Sequence, residues 1–422
     1  MYQKLKLDNG LKLILAPLKE TKAVTVLVLL PVGSRYETKN INGVSHFIEH
    51  LMFKGTKKRP TSLDISKELD SVGAEYNAFT AKDHTGYYIK AAASKINLAF
   101  DILSDMLFAS TFDFQEINKE RGVIVEEINM YEDNPIIYIQ SLFEQTIFSN
   151  HPLGKLISGP KEVIRKVSRQ QILNYKNRFY QPHNMIIAVA GNFNSAKVKS
   201  LVSKYFGRKV KRSSKNQFTK IKIKQAKPQI NLKYKDTEQA QIVLGFPAYS
   251  LTDNRIYSLY LLAVILGGNM SSRLFTMVRE KHGLAYYIKA DITAYQDIGA
   301  FLVQAGLDKS RIKQAIGLIL TELKKVKEQG VTVKELDSAK EFLKGKLVLD
   351  LEDSENVADW FGKQELLMNK VLTPPQRLKK IFAVSQSQIE KTANEILNQN
   401  HINLALIGPF KNKNEFLRLL QF

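Results

Sequence analysis

The strongest constraint on the fold is that one order of strands and helices occurs twice along the 422 residues. The apolar run 185–191, Met-Ile-Ile-Ala-Val-Ala-Gly, precedes a helical pattern over 195–205, and Asn-Leu-Ala-Leu-Ile-Gly at 403–408 precedes another over 414–420. Likewise, residues 85–91 lead into a helix at 95–107, and 300–305 lead into one at 310–328. A chain of this length is too large for one hydrophobic core, so the repeat implies two units of one fold, each of about 200 residues.

Within each repeat, apolar residues spaced by two mark strands and those spaced by three and four mark helices. Residues 5–17 read as a hairpin around Asn9-Gly10, a two-residue turn signal, and 24–32, 74–80 and 85–93 as strands. Helices are expected at 43–53, 61–72, 95–107, from the N-cap Asp113 to 131, and at 137–148 and 168–178. The second half offers strands at 230–235, 240–246 and 298–305, and helices at 255–266, 310–328 and 333–347. Residues 207–229 are rich in Lys, Ser and Gln, a linker composition. The expected organisation is a domain at 1–210, a linker at 211–229 and a second domain at 230–422. The class is α+β: two homologous domains, each an antiparallel-rich β-sheet packed against helices.

Hydrophobic residues make up 44% and charged residues 24%, the balance of an ordinary globular chain. No run approaches the ~20 apolar residues of a membrane helix, so no membrane insertion is expected. The first residues pass directly into strand pattern, leaving no room for a signal or transit peptide, and a cytoplasmic location is expected. The absence of cysteine excludes disulfides and thiolate metal sites. The net charge of +21 raises the possibility of a nucleic-acid partner. The charge is spread along both halves, clusters only at 208–224, and comes with no nucleic-acid-binding motif, so no specific nucleic acid is expected.

The chemistry concentrates in His46-Phe47-Ile48-Glu49-His50. Residues i and i+4 of a helix face the same way, so His46 and His50 can hold one zinc ion while Glu49 reaches a water beside it. A match to this H-x-x-E-H pattern arises by chance roughly 0.01 times in such a chain. Val44, Phe47, Ile48, Leu51 and Met52 give the helix an apolar face. A catalytic zinc needs a third protein ligand. The helix from Asp113 offers Glu120 and Glu127, seven residues apart on a face with Val123 and Met130, whereas Glu126 falls on a polar face. Glu127 is the better ligand, and Glu120 is a candidate to orient a ligand histidine. The remaining histidines, His84 among them, read as ordinary turn or surface residues.

His46–His50, the following Leu-Met-Phe-Lys-Gly-Thr, and the run from Glu120 to Glu127 resemble the pitrilysin family of zinc peptidases over essentially the whole chain. Within that family the likeness is to short bacterial members similar to the mitochondrial processing peptidase. The family's ligand spacing fits Glu126 and Glu127 alike, and the seven-residue step from Glu120 selects Glu127. The resemblance implies one zinc per chain, with His46, His50 and Glu127 as ligands and Glu49 as the base. It also implies that an extended peptide adds as a strand along 73–80, with Asn77, Ala78 and Phe79 as substrate contacts. Arg279 and Tyr286 resemble the family's arginine–tyrosine pair, which serves the substrate or its developing oxyanion. Short members are often dimers, and a homodimer is expected. The activity implied is a zinc metalloendopeptidase acting on short or unfolded polypeptides. The alternative is a non-catalytic structural homologue or subunit of a peptidase complex.

Overall fold

Apolar strands buried on both faces form the centre of each of two compact units in the computed structural model, which describes residues 2–208 and 217–420. The strands are β1 (Gln3–Lys6), β2 (Lys12–Pro17), β3 (Ala23–Leu30), β4 (Glu75–Thr80), β5 (Thr85–Ala92) and β6 (Ile186–Gly191). The second set is β7 (Gln229–Tyr234), β8 (Gln239–Ala248), β9 (Ala285–Ala294), β10 (Gly299–Asp308) and β11 (Asn403–Gly408). The helices that matter below are α1 (Val44–Met52), α2 (Ile96–Ala109), α3 (Phe114–Asp133) and α4 (Pro135–Ile147). Their counterparts are α5 (Ile256–Gly267), α6 (Ile312–Gln329), α7 (Val333–Asp350) and α8 (Ser354–Met368). The class is α+β, as expected.

The first sheet runs β1-β2-β6-β3-β5-β4 and the second β7-β11-β8-β10-β9. Apart from β1 the two orders are the same. Each has one parallel pair, β2 with β6 and β7 with β11, and the other pairings are antiparallel. The hairpin expected at 5–17 forms, but Lys6 pairs with Lys12, so residues 7–11 make the loop rather than a two-residue turn. Asn9 is used elsewhere: its amide donates to the carbonyls of Phe206 (2.7 Å) and Arg208 (3.0 Å), tying the loop to a helix end.

The continuous apolar run of β3 follows from its coverage. Val24, Val26, Val28 and Leu30 enter the core that contains α1 and α2, while Leu27 and Leu29 pack with Val357, Ala358 and Phe361 of α8. On that second face Thr25 Oγ1 and Ser354 Oγ share a hydrogen bond of 2.8 Å. A strand covered on one side alone would alternate. The second unit repeats the device: Leu404 and Leu406 of β11 face one core, while Ala405 and Ile407 pack with Ile139, Leu142 and Phe143 of α4.

The compact units therefore differ from contiguous halves. The first comprises 1–128, 155–219 and 348–372, and the second 129–154, 220–347 and 373–422. The boundaries read from sequence at 210 and 230 put α4 and α8 with the wrong sheets, because an amphipathic helix does not declare which sheet it will cover. Of the expected linker, residues 211–216 lie outside the described residues, and 217–228 run without helix or strand. Strand β9, with exposed Tyr286 and Lys289, was not anticipated, since one side of it stays polar. No helix among the described residues is long and apolar enough to cross a membrane.

Candidate metal centre

Helix α1 owes its position to its buried side: Phe47, Ile48, Leu51 and Met52 are each at most 1% exposed. Burial of such side chains stabilises by about 1.5–3 kcal/mol apiece. Its first turn is held by Glu37, whose carboxylate accepts from the backbone N–H of Gly43 (2.6 Å) and Ser45 (2.8 Å) and from the Asn42 amide (2.8 Å). Burial raises the Glu37 pKa although these donors oppose it. Gly43 adopts φ 99°, and a Cβ there would meet the Ser158 carbonyl oxygen at 2.4 Å, so only glycine fits.

On the same face of α1 the rings of His46 and His50 lie 4.6 Å apart, centre to centre. Glu127 of α3 sends Oε2 to within 3.5 Å of His46 Nε2 and 3.4 Å of His50 Nε2. Bonds of about 2.0–2.2 Å to a tetrahedral zinc separate neighbouring ligand atoms by about 3.3–3.5 Å. The two separations from the carboxylate oxygen thus match those of a tetrahedral zinc site, and the three ligand atoms all lie within 4.8 Å of one another. Among the described residues, this is the group of three whose ligand atoms converge in this way.

The remaining contacts set the protonation states. His50 Nδ1 meets Glu120 Oε2 at 3.0 Å, and Glu120 Oε1 takes Lys54 Nζ at 2.7 Å. A carboxylate on Nδ1 fixes the proton there and leaves Nε2 for a metal. Burial alone would lower the His50 pKa, but the hydrogen bonds and charges of Glu120 and Glu127 outweigh it and raise the value to about 9. His46 is lowered to about 4, first by burial and then by His50, with Glu127 opposing. It is a neutral imidazole whose buried Nδ1 has no hydrogen-bond partner among the described residues. Glu49 is raised by burial, against the Thr80 hydroxyl and His50, with Glu127 adding to the rise. Its Oε2 accepts from Thr80 Oγ1 at 2.5 Å.

Helical phase explains α3 with one amendment. Ile117, Glu120, Ile124 and Ile128 are buried and Glu126 is exposed, but Val123 and Met130 are 49% and 56% exposed. The side that Glu120 and Glu127 share with Val123 and Met130 is therefore not a wholly buried one. Glu120 and Glu127 instead stand on the boundary between the isoleucine flank, which holds them, and an open flank.

Strand β4 is the edge of the first sheet, and the side chain of Asn77 turns back so that its Oδ1 accepts from the Ala78 N–H at 2.8 Å. Tyr76 and Ala78 pack toward the core of α1. Phe79 points to the opposite face, among the residues of α8, and lies over Gly86, where a Cβ would sit 2.3 Å from its ring. The structure therefore brings Ala78, but not the Phe79 ring, to the metal face. His84 lies in the turn between β4 and β5, as expected, but is half-buried there: its ring stands 5.7 Å from that of Phe79, and burial followed by the charge of Lys363 lowers its pKa to about 3. In the second unit Arg279 lies in the π-helical turn Phe275–Lys281, with its guanidinium 4.9 Å from the Phe275 ring and 5.9 Å from that of Tyr286. Tyr286, near the start of β9, is 72% exposed. Thr80, Lys54 and Glu37 escaped the sequence reading. Thr80 could have been found, since it shares the strand face of Ala78.

Comparison with known proteins places the chain. A family model described as insulinase (peptidase family M16) matches residues 13–161, and one described as the peptidase M16 inactive domain matches 166–343. An uncharacterized zinc protease of Bacillus subtilis is 36% identical over 412 residues, covering 98% of this chain and 99% of that one. The crystal structure of a protease from Helicobacter pylori superposes with a TM-score of 0.91 at 26% identity, over 97% of this chain and 99% of that one. A chain of complex III2 from Candida albicans, solved with Inz-5 bound, shares the fold with a TM-score of 0.87 at 16% identity, over 100% of each chain.

Proposed function

The chain belongs to the insulinase family of peptidases, the pitrilysin type, and from this we propose that it is a zinc metalloendopeptidase that cleaves short or unfolded polypeptides. The observation that carries the proposal is the approach of Glu127 Oε2 to both histidine Nε2 atoms, at 3.5 and 3.4 Å, beside the carboxylate of Glu49. Zinc held by His46, His50 and Glu127 would act as a Lewis acid and make water a stronger acid near neutral pH. Glu49, its affinity for a proton raised by burial, takes the proton of the attacking water and delivers it to the nitrogen of the leaving amine. Glu120 keeps the His50 Nδ1–H directed away from the metal side.

The substrate is an extended peptide added to the free edge of β4, with Asn77 giving up the Ala78 N–H so that a peptide carbonyl can accept it. Ala78 faces the metal side, and Phe79 faces the other side of the sheet, among the residues of α8. On the family resemblance alone, Arg279 and Tyr286 are hydrogen-bond donors to the substrate. The same resemblance supports a homodimer.

A second reading, a non-catalytic subunit, draws support from the fold shared with complex III and from the second half, which lacks the H-x-x-E-H motif. The retention of His46, Glu49, His50 and Glu127 favours catalysis. The test is hydrolysis of an unstructured peptide library by wild type and Glu49→Gln at equal zinc content. Loss of roughly 10²–10⁴-fold in the variant is expected. A variant that binds zinc and cleaves as fast as wild type contradicts the role of Glu49, and a zinc-loaded wild type that cleaves nothing supports the non-catalytic reading.

A further inference from the structure

Among the described residues, the one side-chain hydrogen bond that Glu49 makes comes from the hydroxyl of Thr80, which donates to Oε2 at 2.5 Å. Thr80 ends β4, and the turn that follows is fastened on several sides. The Ala81 N–H donates to the His84 carbonyl (2.8 Å), while the N–H groups of Ser34 and Arg35 donate to the carbonyls of Ala81 (3.3 Å) and Lys82 (3.0 Å). Opposite Thr80 in the ladder stands Thr85, whose hydroxyl donates to the Val32 carbonyl at 2.8 Å. A β-branched side chain on so fixed a backbone has little freedom about χ1. Its single hydroxyl proton is therefore aimed from a rigid point at one oxygen of the Glu49 carboxylate.

We infer that Thr80 is a positioning residue for the proposed peptidase reaction: its hydroxyl holds Glu49 Oε2 so that Oε1 is the oxygen presented to the attacking water. A carboxylate on an unrestrained glutamate samples several rotamers, and only some of them direct an oxygen at the metal side. The hydrogen bond selects one without occupying the second oxygen. Because Thr80 belongs to the strand proposed to receive the peptide, base and substrate are located by one element. This inference rests on the peptidase reading given above.

The test uses the full chain, zinc-loaded, as Thr80→Val, which keeps the branched shape and loses the donor, and as Thr80→Ser, which keeps the donor. Crystal structures of the zinc-loaded proteins are expected to show Glu49 in one rotamer in wild type and Thr80→Ser, and in more than one, or turned away, in Thr80→Val. That readout needs no turnover, so it remains informative even if wild type proves inactive and the peptidase reading fails. With an active wild type, kcat of Thr80→Val should fall roughly 10- to 100-fold with KM, zinc content and thermal midpoint little changed, and Thr80→Ser should recover most of it. An unmoved Glu49 in Thr80→Val overturns the inference. So does an unchanged kcat, or a loss that Thr80→Ser shares or that accompanies lost zinc.

Discussion

In both units a helix follows the strand at the heart of the sheet, α1 after β3 and α5 after β8, yet the two helices do opposite things. Helix α5, Ile-Tyr-Ser-Leu-Tyr-Leu-Leu-Ala-Val-Ile-Leu-Gly, buries residues around nearly its whole circumference and carries no charged side chain. Helix α1 buries Phe47, Ile48, Leu51 and Met52 but gives its remaining face to His46, Glu49 and His50. The following long helices diverge in the same sense. Helix α3 turns Glu120 toward α1 as a buried carboxylate, whereas the buried residues of α7 are Leu336 and Ala339. The fold is thus complete without a metal site. In the first unit, positions that could have held apolar side chains hold ionisable ones, and the neutral His46, with its buried Nδ1, is the residue for which packing offers least return.

This contrast can be broken most severely at the ligands. Glu127→Ala should abolish stoichiometric zinc, a loss of roughly a thousandfold or more in affinity, while the neighbouring Glu126→Ala leaves zinc binding within error. Zinc titration of the two variants measures it, and equal loss in both would remove the phase argument for Glu127. Next in size is stability. Leu262→Ala in α5 should cost about 2–5 kcal/mol, while His46→Leu in α1 should leave the metal-free protein within about 1 kcal/mol of wild type or above it. Urea unfolding of the metal-free proteins decides this, and a His46→Leu variant as damaged as Leu262→Ala would make α1 a structural helix like its counterpart.

Smaller effects sharpen the picture. Glu120→Gln should weaken zinc binding by roughly 10- to 100-fold without removing a ligand, because it loosens the hold on His50 Nδ1. Affinity unchanged in a competition titration would make Glu120 a partner of Lys54 alone. The metal-free His50, with a pKa near 9, carries a proton at pH 7 that zinc must displace, whereas His46, near 4, is already neutral. Zinc affinity should therefore rise about tenfold per pH unit between pH 6 and 8, with about one proton released per zinc. Calorimetry in buffers of different ionisation enthalpy reads that proton, and its absence would place the deprotonated ring in the metal-free state.

What could be read without a structure follows the range of the interactions. His46, Glu49 and His50 lie within one helical turn and a half, so spacing alone set their geometry. Glu127 needed helical phase, which set Glu120 and Glu127 on one face but did not foresee that Val123 and Met130 beside them stay exposed, since phase gives direction and not what waits there. The apolar run of β3 announced burial on both faces, but nothing in it says that the second cover is α8, more than 300 residues later. The ring of Phe79 goes to the far side of the sheet because strand parity fixes it opposite Thr80. The hydroxyl of Thr80 meets Glu49 only once β4 is laid beside α1. Contacts made across a sheet or between distant segments leave no local pattern in a sequence.

The central claim, that the ligand set of the first unit makes the chain a zinc peptidase, is tested most directly by adding zinc back to chelator-stripped protein while following hydrolysis of an unstructured peptide. Hydrolysis should be absent from the stripped protein and should rise with zinc to a plateau at one metal per chain. Hydrolysis that ignores the metal, or full occupancy of the site with no hydrolysis, would contradict it.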